Sequence, residues 1–300
     1  MNTAALIIII MAALILGAYL SLEGAILPRQ STQQFFSLSD LSWGKKLEGY
    51  LYATRTREYL KMAKWQGLLK KLGISETADS YHGKVMTRTD AGKLITLNVP
   101  IEIPDLDRVI PYPVARSIIL NQPLPSIAVM ECPCRAQKQD SCPRDVCLVV
   151  GEPFASFMLE HRPDKVRRIE TEEALQILDE EEERGHIHTA WFKDAMHNRF
   201  YVICNCCTCC CLGMASFFRG VPRMTHSGYI PIVETDSCTG CGMCEEICPF
   251  QAISLNMDIP HVNQEGCMGC GLCTSHCPTN SIRLTLAPER GIPLDVEMLV

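Results

Sequence analysis

The sequence predicts an α+β protein with three parts: an N-terminal transmembrane helix, a mixed α/β, cysteine-rich middle domain, and a C-terminal domain of two pseudo-symmetric halves. Three observations lead there. Residues 4–22 carry no charge. Ten cysteines gather between positions 132 and 211, among stretches that alternate in strand-like and helix-like pattern. Two cysteine strings near the end of the chain repeat one another. The expected division is 1–26 as anchor, 27–125 as a basic helical and strand region, 126–228 as the cysteine-rich putative metal domain, 229–285 as the repeat domain, and 286–300 as a tail.

The first element is the apolar run at 4–22. At 1.5 Å per residue a helix of that length nearly spans a hydrocarbon core of about 30 Å. No Lys or Arg precedes the run, which argues against a cleaved leader. Basic residues follow it, at Arg29 and then from Lys45. The positive-inside bias therefore predicts a single-pass protein of the cytoplasmic membrane, its soluble part in the cytoplasm.

Residues 41–71 hold eight bases (Lys45, Lys46, Arg55, Arg57, Lys61, Lys64, Lys70, Lys71) against two acids (Glu48, Glu58). They suit anionic headgroups or the solvated face of a helix pair. The stretch 42–71 reads as helix, with Gly73 as its stop. Residues 81–104 read as strands around an Asp90-Ala-Gly-Lys93 turn. Residues 113–121 suggest a short amphipathic helix, and 126–131 a short buried strand leading into Cys132. A helix follows at 172–184, with Thr171 as N-cap, Glu172 and Glu173 in the first turn and Gly185 at the end. The acidic run from Asp179 to Glu183 reads as a solvated face. There is no G-x-G-x-x-G, no Walker loop and no G-x-S-x-G, so neither nucleotide binding nor acyl transfer is indicated.

The repeat carries the chemistry. Cys238-Thr-Gly-Cys241-Gly-Met-Cys244-Glu-Glu-Ile-Cys248-Pro249 and Cys267-Met-Gly-Cys270-Gly-Leu-Cys273-Thr-Ser-His-Cys277-Pro278 both read C-x₂-C-x₂-C-x₃-C-P. That run holds [4Fe–4S] clusters. Three thiolates spaced by two residues wrap one face of a cubane, and the fourth ligates the other cluster. Cys238, Cys241, Cys244 and Cys277 thus form one expected ligand set, and Cys267, Cys270, Cys273 and Cys248 the other. Gly240, Gly242, Gly269 and Gly271 allow positive φ and close backbone approach to cluster sulfurs. The tails Cys-Pro-Phe-Gln-Ala-Ile-Ser-Leu and Cys-Pro-Thr-Asn-Ser-Ile-Arg-Leu also match. Residues 229–285 resemble the bacterial-type 2[4Fe–4S] ferredoxin domain, and no ligand position departs from its pattern.

Ten cysteines lie upstream: Cys132, Cys134, Cys142 and Cys147, then Cys204, Cys206, Cys207, Cys209, Cys210 and Cys211. Pro133 holds Cys132 extended. In an extended segment residues i and i+2 face the same way, so Cys132 and Cys134 share one side. Adjacent cysteines in the second string diverge, so that string serves two sites, or one site with spectator thiols. Ten thiolates suffice for two further cubanes, or for one cubane and a zinc; buried unliganded thiols are the plain alternative. His186, His188 and His197 are candidate ligands or proton donors, surface or capping roles being the commoner ones, and His276, inside the second cluster loop, is a candidate for tuning potential, with solvent exposure the plain alternative. Arg135 suits either a donor to a cluster or an ion pair. Glu-Cys-Pro-Cys-Arg and Cys-Asn-Cys-Cys-Thr-Cys-Cys-Cys beside the repeat resemble those of membrane-anchored dicluster ferredoxin-domain proteins of anaerobes.

Three hundred residues, 47% hydrophobic, are enough for two domains with a real core. A net charge of −6 argues against a general nucleic-acid binder. Eighteen cysteines in a chain this long favour metal ligation in a reducing compartment over a disulfide scaffold. Between 234 and 285, Glu234, Asp236, Glu245, Glu246, Asp258 and Glu265 face one base, Arg283, which suits a basic redox partner. The expected function is iron–sulfur electron transfer at a membrane, through two [4Fe–4S] clusters and a further upstream metal site (one or two more Fe–S clusters, or zinc), with a membrane-associated redox partner. The alternatives are an oxidoreductase with its catalytic metal between 132–147 and 204–211, and a structural or redox-sensing iron–sulfur protein.

Overall fold

The structure is a computed structural model and describes residues 3–22, 29–61, 81–97, 101–104, 109, 117–120, 126–138, 142–221 and 223–299. Its centre is a nine-stranded sheet. Strands β1 (Tyr81–Met86), β4 (Ile127–Glu131), β5 (Asp145–Val150), β6 (Val166–Ile169), β7 (Ile187–Lys193), β8 (Arg199–Cys206) and β9 (Met224–Thr225) run in the order β6-β4-β5-β8-β7-β1-β9. A hairpin of β2 (Ile101–Pro104) and β3 (Ser117–Leu120) joins at β8. Most pairings are antiparallel; β1 with β9 and β3 with β8 are parallel.

Period-2 alternation sorts the strand side chains onto two faces, as pleating requires. Ile127 and Val129, and Ala190 and Phe192, pack on one face with helices Arg88–Thr96 and Thr171–Glu183, joined by Phe200 and Ile203, which share that face across a register shift in the β7–β8 pairing. Ala128 and Met130, Trp191, Tyr201 and Cys206 pack on the other, against helices Gln30–Ser37, Trp43–Thr54 and Phe154–His161. With both faces covered, the central strands β4, β5 and β8 are mostly buried and apolar.

Several sequence expectations change. The span 4–22 lies within a helix, Thr3–Leu22, but among the described residues no helix is long and apolar enough to cross a membrane. The transmembrane anchor and the single-pass placement are therefore overturned, and with them the likeness to membrane-anchored proteins. The Asp90–Lys93 segment is not a turn between strands but part of the helix Arg88–Thr96. The Thr87 hydroxyl accepts from the Asp90 amide and caps it. Residues 117–120, expected to be helical, form β3, and the β-branched pair Ile118-Ile119 suits a strand; 113–116 lie outside the described residues. Of the helix expected at 42–71, residues 43–54 and 56–61 are helical and 62–71 lie outside the described residues.

The repeat domain packs beside this sheet. Strand β10 (Tyr229–Val233) pairs antiparallel with β13 (Ile282–Leu286), and β11 (Ile253–Asn256) with β12 (Ile259–Val262). Residues 294–296 return to the sheet's core, and Asp295 holds Lys93 at 2.7 Å.

Candidate metal centres

The two halves of the repeat fold alike. Gly240 and Gly269 have φ of 65° and 66°, and Gly242 and Gly271 have 81° and 92°. Those last two glycines precede the short helices Met243–Glu246 and Leu272–Ser275. A left-handed residue there reverses the chain so that the following cysteine turns inward. The fourth cysteine of each string accepts a backbone hydrogen bond: Ala252 N–H to Cys248 Sγ at 3.3 Å, and Ser281 N–H to Cys277 Sγ at 3.2 Å. Such N–H···S contacts stabilise thiolate charge and tune a bound cluster.

Their surroundings differ. Cys248, Cys267, Cys270 and Cys273 line one cavity with about 340 Å³ of atom-free space. The four are electrostatic neighbours of one another. Burial pushes the Cys273 thiol up to about 12; such a group ionises only against a cation that displaces its proton. Cys238, Cys241 and Cys244 neighbour each other, with Cys241 exposed and Cys244 buried. Cys277 packs in the same small apolar cluster as Cys244. Burial opposes ionisation of Cys277, but the Thr279 hydroxyl and the backbone N–H groups that follow outweigh it and lower its pKa.

The upstream thiols separate into two groups. Six form a closed ring of neighbours. Cys132 contacts Cys134 and Cys147, Cys147 contacts Cys204, Cys204 contacts Cys206, Cys206 contacts Cys211, and Cys211 contacts Cys134. All six line one cavity of about 480 Å³ of atom-free space. Their supports are neighbours in the sheet: Cys132 and Cys134 follow β4, Cys147 lies in β5, Cys204 and Cys206 in β8, and Cys211 precedes helix Leu212–Phe217. The ring is hollow, because among the described residues no three of these sulfurs lie mutually within 4.8 Å. The thiols of Cys142, Cys207, Cys209 and Cys210 form a second cluster that adjoins the ring, Cys207 also lining its cavity and Cys209 being exposed.

A charged scaffold stands behind the ring. Arg135 is fully buried and donates to Glu181 at 2.5 Å, to the Asn205 carbonyl at 2.7 Å and to the Pro143 carbonyl. Burial disfavours its charge, but Glu181 outweighs this and raises its pKa. Glu181 is therefore not on a solvated face; its neighbours in the acidic run kept it hidden from sequence reasoning. Glu181 also bonds His186 Nδ1 at 2.7 Å. His188 Nδ1 contacts Asn205 at 2.6 Å, His197 Nδ1 contacts Ser39 at 2.7 Å and His276 Nδ1 contacts the Leu272 carbonyl at 2.9 Å. None of the four histidines joins a ligand group among the described residues.

Sequence reasoning missed a tyrosine cluster. Tyr52 and Tyr201 hydroxyls lie 2.6 Å apart, both contact the Tyr81 hydroxyl, and all three neighbour Cys204. Tyr81 stacks on Trp191 with centroids 4.3 Å apart. The Trp191 indole N–H donates to Thr189, whose hydroxyl lies 3.3 Å from Cys206 Sγ. These tyrosines are separated by up to 149 positions, and nothing local in the chain marks them.

Residues 237–281 match the family model of the 4Fe-4S dicluster domain. The match takes in all eight cysteines of the repeat and supports a ferredoxin-like iron–sulfur domain. No curated protein matches the chain.

Proposed function

We propose that the protein is an electron-transfer component in which the ferredoxin-like domain exchanges single electrons with a third centre held by the six-thiol ring. Cys238, Cys241, Cys244 and Cys277 are assigned to one [4Fe–4S] cluster, and Cys248, Cys267, Cys270 and Cys273 to the other. Clusters bound there supply one-electron chemistry. Cys132, Cys134, Cys147, Cys204, Cys206 and Cys211 supply more thiolates than one cubane needs.

The observation that carries this reading is continuity of packing. Cys267 and Phe250 share one buried core with Cys132, Cys147, Cys206 and Cys211, and Cys248 and Cys270 pack against it. Helix Leu212–Phe217 leaves the ring at Cys211 and ends at Phe217. That ring meets Phe250, two residues from Cys248, edge-on at 5.0 Å. The set containing Cys248 thus faces the sheet domain. The set containing Cys241 lies nearer solvent, beside Glu245 and Glu246, where a basic redox partner would dock.

The test is iron and acid-labile sulfide per chain on anaerobically purified protein. The expected content is about twelve irons or more, against about eight for two cubanes alone. The Cys134→Ala/Cys206→Ala variant should return it to about eight. Wild-type protein with about eight irons, unchanged in the variant, would overturn the third centre.

A second reading makes the ring centre catalytic, and the buried tyrosine hydroxyls beside Cys204 favour it as a proton source. A small reducible substrate that alters the reduced protein's EPR spectrum, and no longer does so in Tyr81→Phe, would select that reading.

A further inference from the structure

We infer a separate mononuclear zinc site on Cys142, Cys207, Cys209 and Cys210, independent of the iron sites above. Spacing distinguishes it from them. A single Zn²⁺ held by four thiolates at about 2.3 Å puts neighbouring sulfurs ~3.8 Å apart. A cubane spreads its thiolates over different iron corners and holds them wider. The Sγ atoms of Cys142, Cys207 and Cys209 lie within 4.8 Å of one another, the only such group among the described residues. Cys142 to Cys209 is 3.6 Å and Cys207 to Cys209 is 3.5 Å. Cys210 Sγ is the candidate fourth ligand: it lies outside that group of three, 2.6 Å from Cys209 and in contact with Cys207, and must swing away from Cys209 to join them.

The donor set fits the ion. Tetrahedral S₄ coordination suits zinc, which brings no redox chemistry of its own. Four thiolates on Zn²⁺ leave a double negative charge. The Arg135 guanidinium faces Cys207, and the Lys138 ammonium donates to the Cys209 carbonyl. The cation-rich side of the site therefore offsets that charge. Cys142 comes from the segment before β5, and the other three from the turn after β8. The ion would pin these two segments together beside the six-thiol ring, so its role is closure rather than electron transfer.

Elemental analysis of the full-length protein, grown with zinc and purified anaerobically, should find about one zinc per chain beyond its iron. Zinc-edge X-ray absorption should show four sulfurs at about 2.3 Å. Cys209→Ser and Cys142→Ser should each lower zinc at least fivefold with iron and sulfide unchanged. A wild-type protein without zinc, or a nitrogen- or oxygen-rich zinc shell, would overturn the site, and neither measurement depends on a variant folding. Iron and sulfide falling together in Cys209→Ser would instead make these thiols cluster ligands. Failure of the third iron centre would leave the zinc count untouched, so the two proposals fall separately.

Discussion

In the repeat, three of every four thiols fall within seven consecutive residues; around the upstream ring, six thiols come from two neighbouring strands, β5 and β8, and from the segments that follow β4 and precede helix Leu212–Phe217. The repeat shapes its ligand loops locally, with left-handed glycines and backbone N–H donors supplied by the same string. The ring exists only once β4, β5 and β8 have paired. A thiol cluster can thus be written in a motif or in a tertiary structure, and the two should respond differently to damage.

The largest contrast comes from the repeat itself. Cys270→Ala should cost about four irons and unfold much of the ferredoxin-like domain, because metal binding and folding are coupled there. The sheet's far-UV circular dichroism should survive. Collapse of the sheet as well would show that the two regions do not fold separately.

Arg135→Leu probes the other side. It removes one of the two guanidinium partners of the buried Glu181 carboxylate, leaving Arg184 at 3.1 Å and His186 at 2.7 Å, a defect of about 1–3 kcal/mol. Urea unfolding should register that loss, with iron in excess of eight lost before the repeat's own. The double variant Arg135→Leu/Glu181→Leu should recover much of the stability. Loss of all iron together would erase the distinction between the regions.

Two glycine substitutions sharpen the comparison within the repeat. Gly242→Ala meets open space and should cost about 1–2 kcal/mol for left-handed backbone alone. Gly269→Ala would also drive its Cβ into the Tyr229 carbonyl and the Ser227 hydroxyl, so its cost should be clearly larger. Equal melting shifts would mean that the close approach at Gly269 costs nothing beyond its left-handed backbone.

The smallest effect concerns pH. Burial first, and the Arg88 charge after it, depress His188 to about 4, against the opposing bond from Asn205. A group depressed in the folded state contributes stability that is complete above its unfolded pKa near 6.5. That contribution is lost as pH falls toward 4. His188→Gln should flatten this part of the stability profile; an unchanged slope between pH 6.5 and 4 would assign the acid sensitivity elsewhere.

The repeat was legible because its spacing, glycines and prolines each act within a few residues. The mixed α/β character and the strand before Cys132 were legible from the apolar run at 127–130. The helix at 88–96 was not, although Thr87-x-x-Asp90 is a capping pattern; the Ala-Gly pair drew attention to a turn instead. Glu181 was hidden for a physical reason. Four acidic neighbours share its charge, and only the tertiary fold selects the one that Arg135 reaches. The split of ten cysteines into six and four was equally out of reach, since Cys206 and Cys207 are adjacent in the chain yet join different groups.

Strand β8 places Cys204 and Cys206 against the hollow while the intervening Asn205 serves the polar scaffold, its carbonyl taking Arg135 and its amide donating to the Val146 carbonyl. A slip of one position would exchange the two roles along the whole strand. For the centre proposed on the ring this sets an order: the hydrogen-bond ladder of β8 has to settle before iron and sulfide arrive, or they would meet an amide where a thiol belongs.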